Sequence, residues 1–264
     1  MLMQLLWLQP SGYDAAAVSE SIADKWNSYA KQLPKLSYSH VPRYALLPNA
    51  TIQLHTFSDA SEVAYGACTY ARSVDSQGNV AVHLLASKSR VAPLKRISLP
   101  RLGLCTADLA TKLHTKISEA LQIDVPASYF WSDSTVTLQW IHAPPKNWKT
   151  FVANRVSAIQ SATHGAHWNH AAGKQNPADH VSRGMEIDEF IQCEEWKHGP
   201  KWLSLPGNQW PCEQVPEYPD DGKERRKVVV AIARSETLVN PHFASFSSNS
   251  AMVRITAYCL RFVR

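Results

Sequence analysis

The sequence predicts an α/β domain built on a five-stranded mixed sheet with helices on its faces. Three observations predict it. Five runs rich in β-branched and aromatic residues, over 52–58, 64–74, 80–86, 128–131 and 167–171, have strand length. The first three follow one another with no helix between them, as in an antiparallel meander, and the last two are separated by helical stretches, as in crossovers. The first and fourth runs lead into Asp59 and Asp133, at strand ends where α/β sheets place their sites.

Each element has its own signal. Residues 15–33 put Val18, Ile22, Trp26, Tyr29 and Leu33 on one face at helical spacing, and the helix ends before Pro34. The turn Asp75-Ser76-Gln77-Gly78-Asn79 joins the second and third strands as a hairpin. After Pro100, the stripe Leu102, Leu109 and Leu113 predicts a helix over 102–121. A short helix follows Asp133 and runs through Ile141, Ala143-Pro144-Pro145 breaks it, and a further helix covers 150–162. The last helix is opened by Asn176-Pro177.

Four regions result. Residues 1–50 form a helical flank and residues 51–184 the α/β domain; residues 185–221 are an extended arm in which Trp196, Trp202 and Trp210 recur among prolines without core periodicity. Residues 222–264 open with the basic run Lys223-Glu224-Arg225-Arg226-Lys227, read as a flexible solvated linker, and close on an uncapped helix.

Composition narrows the class. The net charge of +5 and pI of about 8.9 fit a polyanionic partner without requiring one. Five scattered cysteines without a CxxC pair argue against a disulfide framework or a zinc ribbon, and for reduced thiols in an intracellular protein, cytoplasmic or nuclear. The apolar start, residues 1–8, is too short to span a bilayer and has no basic leader, so no membrane partner is expected.

The candidate chemistry rests on Asp59, Asp133 and Asp179. Gathered at one sheet edge, three carboxylates would repel one another unless a divalent cation held them together. A lone aspartate in such a place is more often a turn or helix cap, as Asp133 before Ser134 and Thr135 could be. His164, His167 and His170 have ligand-like spacing, but on a strand they would not converge. Lys88, Arg90, Lys95, Arg96 and Arg101 precede the first long helix, and Lys146, Trp148, Lys149 and Arg155 flank the second crossover. Cations near aromatic side chains suit phosphate and sugar contact, with a solvated face as the plain alternative.

The strand order and several strings resemble the ribonuclease H-like domain of BEL/Pao-type long-terminal-repeat retrotransposons. The strings are residues 54–61 around Asp59, 86–94 from Ala86 to Leu94, Pro100-Arg101-Leu102, Trp131-Ser132-Asp133-Ser134, 148–156 from Trp148 to Val156, and 173–184 from Gly173 through Asp179 to Gly184. This resemblance implies two Mg²⁺ ions, with Mn²⁺ a possible substitute, that cut the RNA strand of an RNA–DNA hybrid. Asp59 would bridge both ions, with Asp133 serving one and Asp179 the other. The family's glutamate falls at Gly103, a degenerate position that supplies no ligand, and Asp108 lies too far around the helix to replace it. A glutamate placed at 103 would complete the ligand set. The resemblance also implies a polymerase region upstream and an integrase region downstream in a parent polyprotein. Gly103 favours a second reading, an inactive nucleic-acid-binding or structural remnant of such a polyprotein.

Overall fold

The computed structural model describes residues 5–6, 18–39, 44–123, 125–211, 222–226 and 248–262. The chain divides into two compact units, Met1–Arg226 and Lys227–Arg264.

In the first unit, α1 (Glu20–Gln32) leads into a 3-10 turn over Leu33–Tyr38, so Pro34 opens a tighter turn where the sequence suggests a stop. The start of the predicted helix, residues 15–17, lies outside the described residues. Of its apolar stripe only Ile22 is buried, while Val18, Trp26, Tyr29 and Leu33 stay exposed.

The sheet follows the predicted order. β1 (Thr51–Ala60), β2 (Ala64–Val74) and β3 (Val80–Val91) form an antiparallel meander, and β4 (Ala127–Ser132) and β5 (His167–His170) add in parallel beside β1, giving β3-β2-β1-β4-β5. The hairpin turn is closed by Asp75, whose carboxylate accepts the Gln77 and Asn79 backbone N–H groups, both at 2.8 Å. Gly78 supplies the positive φ of 86° this turn needs.

Alternation along the strands sends residues to two buried faces. On one, Leu54, Ala67, Ala71, Phe130 and Trp168 meet α2 (Leu99–Leu121), α3 (Thr135–His142) and α4 (Thr150–Ala162). Ala107 and Ala110 let α2 lie close to the sheet, and Leu138, Val152, Val156 and Ile159 fill the layer behind it.

On the opposite face, Phe57, Cys68, Tyr70, Val82 and Trp131 pack against Ala171, Ala178, Trp202 and Leu203. Trp202 and Leu203 come from the segment expected to be an extended arm. That segment instead folds into α6 (Ile187–Gln192), α7 (Glu194–His198) and 3-10 turns at Lys201–Ser204 and Gly207–Gln209, following α5 (Asp179–Arg183). Single turns separated by prolines and glycines carry no helical period, which is why the sequence pattern hides them.

Arg72 clamps this covering layer. From β2 its guanidinium donates to Leu203 O at 2.7 Å, Leu205 O at 3.1 Å and Gln53 Oε1 at 2.9 Å, and lies over the Trp210 ring. Tyr70 adds a hydroxyl donated to Trp196 O at 2.9 Å.

The basic run also departs from expectation. Residues 222–226 are not a free linker: Arg225 bridges to Trp148, the Lys149 N–H donates to Glu224 O at 2.8 Å, and the Arg226 N–H donates to Asn147 O at 2.9 Å. Lys227 lies outside the described residues. In the second unit, α8 (Asn249–Phe262) covers most of the helix expected at the end of the chain.

Candidate metal and nucleic-acid site

β1 and β4 run parallel in register, Phe57 opposite Trp131 and Ser58 opposite Ser132, so the residues that follow, Asp59 and Asp133, leave the same edge of the sheet together. Asp59 is only 3% exposed. Its carboxyl is close enough to that of Asp133 to act on it. Burial, the neighbouring Asp59 carboxyl and the more distant Asp179 hold the Asp133 carboxyl well above the usual carboxylate range.

Asp179 reaches this edge because α5 lies against β2. A Cβ at Gly66 would stand 2.3 Å from Val181 Cγ1 and 2.8 Å from Lys88 O, so only glycine there lets α5 approach. The entry to α5 is set by Asn176, which donates from Nδ2 to Ser58 O at 3.0 Å and accepts the Ala178 N–H at Oδ1 at 3.1 Å. The strand end and the helix start are thereby tied together.

The three carboxylates are not equally free. The Ser182 hydroxyl donates to Asp59 Oδ2, and Arg183 pairs through Nε with Asp179 Oδ1. Among the described residues no group of three His, Cys, Asp or Glu side chains is arranged to hold a metal ion. Asp59 and Asp133 lie at the same sheet edge, and Asp179, which also acts on the Asp133 carboxyl, is paired with Arg183.

Gly103 sits buried on α2 and faces the start of α3. A Cβ there would lie 2.6 Å from Thr137 Oγ1 and 3.3 Å from Ser134 Oγ. Those two hydroxyls are bonded to each other at 2.8 Å, and Ser134 caps α3 by accepting the Thr137 N–H. A side chain at 103 would therefore require Thr137 to shift. Asp108 pairs with Lys112 at 2.6 Å, in keeping with its placement away from the site.

Asp59 and Asp133 are hard oxygen donors whose mutual repulsion a divalent cation would relieve, so this pair fits Mg²⁺ or Mn²⁺. For a second ion the set is poorer, since Gly103 offers no oxygen. Of His164, His167 and His170, His170 approaches, with Nε2 3.3 Å from Asp133 O; His167 stacks on Tyr129 and His164 is exposed.

The predicted phosphate contacts separate into two groups. Lys88, Arg90, Lys95, Arg96 and Lys146 are exposed and make no ion pair among the described residues. The others are engaged. Arg101 forms a two-pronged pair with Glu224, at 2.7 and 3.1 Å, and lies over Phe151; Arg155 stacks on the same ring with its guanidinium carbon 3.8 Å from the centroid. Trp148 is a core residue donating to Trp140 O at 3.3 Å, and the Lys149 ammonium donates to Lys223 O. Trp148, buried in the core, is thus corrected from a nucleic-acid contact to a structural residue, while Arg101, Lys149 and Arg155 have partners within the fold. Sequence reasoning could not see Glu224, over a hundred positions from Arg101. It also passed over Ser182 and Arg183 as partners, although both stand in the same string as Asp179.

A meander continued by parallel strands, with carboxylates where β1 and β4 end, defines a ribonuclease H-like domain. The model of the Pao retrotransposon-like RNaseH-like domain matches residues 1–134, more than half of the 264 residues, and the chain belongs to that family. No curated protein matches it. Among solved structures, it is similar to the N-terminal ribonuclease H domain of a Mycobacterium tuberculosis protein, at 12% identity, 53% of this chain, 97% of that chain and a TM-score of 0.34. It is similar also to ribonuclease H1 of Halobacterium salinarum, at 11% identity over 52% and 98% of the two chains with a TM-score of 0.34. A foamy viral protease-reverse transcriptase solved with an RNA/DNA hybrid matches at 11% identity over 64% of this chain and 26% of that chain, with a TM-score of 0.34.

Proposed function

We propose that this domain binds RNA–DNA hybrids, holds a single divalent cation, and has lost efficient cleavage of the RNA strand. The observation that carries the reading is Gly103 itself: the position from which a ribonuclease H-like site takes its glutamate has no side chain, and a Cβ there would stand 2.6 Å from Thr137 Oγ1 unless Thr137 shifted. Membership of the family supports the hybrid as substrate class. The ancestral activity is hydrolysis by two metal ions.

Asp59 and Asp133 would hold one Mg²⁺ or Mn²⁺, with Asp179 joining once freed from Arg183. When bound, such an ion supplies charge stabilisation to phosphate oxygens. The chain's own residues do the rest of the binding. Lys88, Arg90, Lys95, Arg96 and Lys146 contact phosphates without reading bases, which a domain that recognises duplex shape requires. Polymerase and integrase regions of a parent polyprotein are the expected neighbours.

The test is equilibrium binding of a fluorescent RNA–DNA hybrid at increasing salt. Binding that weakens steeply with salt, and falls when Lys88, Arg90 and Lys146 are neutralised together, is the expected result. Binding that ignores both would rule the reading out.

A further inference from the structure

We propose that Arg183 is the built-in counter-cation of the carboxylate site, and that a divalent ion binds there by displacing it. The inference rests on the cation site proposed above. One turn of α5 supplies both partners: Arg183 pairs with Asp179 four residues earlier, and Ser182 donates to Asp59 Oδ2 and to Asp179 O. A positive charge therefore stands on the carboxylate of this site that a cation would need, and offsets part of the repulsion among the three.

The Arg183 side chain is 66% exposed, so its pairing is screened by water and readily exchanged. By contrast Arg101 is held to a Glu224 side chain that is only 13% exposed, and has no comparable route out. Displacement would free Asp179 to join Asp59 and Asp133.

The experiment uses the full chain and Mn²⁺ as the probe, with free Mn²⁺ read by electron paramagnetic resonance. Arg183→Gln is expected to bind Mn²⁺ roughly fivefold tighter than wild type, and Arg183→Lys to stay near it. Thermal melts without metal give an independent readout: Asp133→Asn should raise the melting temperature more in Arg183→Gln than in wild type, because the repulsion is then unrelieved. Unchanged Mn²⁺ affinity in Arg183→Gln overturns displacement, and equal effects of Asp133→Asn in both backgrounds overturn the counter-cation role. If instead wild type and Asp59→Asn bind Mn²⁺ alike, the cation site itself is wrong and displacement falls with it, while the melts still decide whether Arg183 neutralises the carboxylates.

Discussion

Thr137 Oγ1 stands 2.6 Å from where a Cβ on Gly103 would lie, closer than real Cβ contacts allow. This relationship changes what a repair of the site requires. Removing glycine from a helix gains up to about 1 kcal/mol, but forcing a side chain into a filled space costs about 1–3 kcal/mol. Gly103→Glu is therefore expected to lower stability slightly and to leave cleavage unrestored, against the simple expectation from the ligand set. Gly103→Glu with Thr137→Ala makes the room, and cleavage should appear in the double variant alone. Melting curves and hybrid assays on both variants decide it; a stable, active single variant would show that Thr137 yields easily.

The segment carrying Trp202 behaves as part of the core. Trp202 is 8% exposed and meets Trp131 with ring centroids 4.6 Å apart. Trp202→Ala should cost about 3–5 kcal/mol, the usual range for emptying a large aromatic site. A fragment ending at Gly184 should aggregate, because Phe57, Tyr70 and Trp131 would lose their cover. Denaturant melts of the variant and solubility of the fragment check this, and a well-folded fragment would contradict it.

Acid should destabilise the domain before ordinary carboxylates titrate. His55 is completely buried, accepts the Trp131 Nε1–H at Nδ1, and has no hydrogen-bond partner at Nε2 among the described residues; burial, then Arg72, lowers its pKa to about 3. Burial lowers that of His114 to about 4. For both, the unfolded chain binds the proton more tightly, so stability is present above about pH 6.5 and is lost as pH falls toward the folded values. Asp133, raised, acts in the opposite sense. Two histidines against one carboxyl leave a net loss of about 1.4 kcal/mol per pH unit between about pH 6 and 4.5. Asp133→Asn should make the slope steeper. Urea melts across this range measure it, and a flat profile would refute the buried neutral histidines.

Salt dependence separates the two groups of cations. Neutralising Lys88, Arg90 or Lys146 should weaken hybrid binding and reduce the salt slope by roughly one phosphate contact each. Arg101→Ala should leave the slope unchanged and destabilise the fold, since it strips Glu224 and Phe151 of their partner. Slope changes at Arg101 equal to those at Lys88 would reverse this assignment.

The sheet was legible because its signals are local: short β-rich runs, a hairpin turn at Asp75, prolines between helices. The positions of Asp59 and Asp133 followed from the same runs. What remained hidden depends on partners distant in sequence. Nothing around Arg101 announces Glu224, and Trp148 reads as an aromatic beside lysines until Trp140 and Arg225 close over it. The pairing of Asp179 with Arg183 lay at helical spacing in plain view, but its meaning needed α5 to be seated on Gly66.

Cleavage of a labelled RNA–DNA hybrid by wild type and by Asp59→Asn, in Mg²⁺ and in Mn²⁺ and at concentrations where both bind, tests the central claim most directly. The account predicts bound hybrid with no cleavage by wild type above that of Asp59→Asn. Efficient wild-type cleavage that Asp59→Asn abolishes would contradict it, and would show that two ions can be held without a carboxylate at position 103.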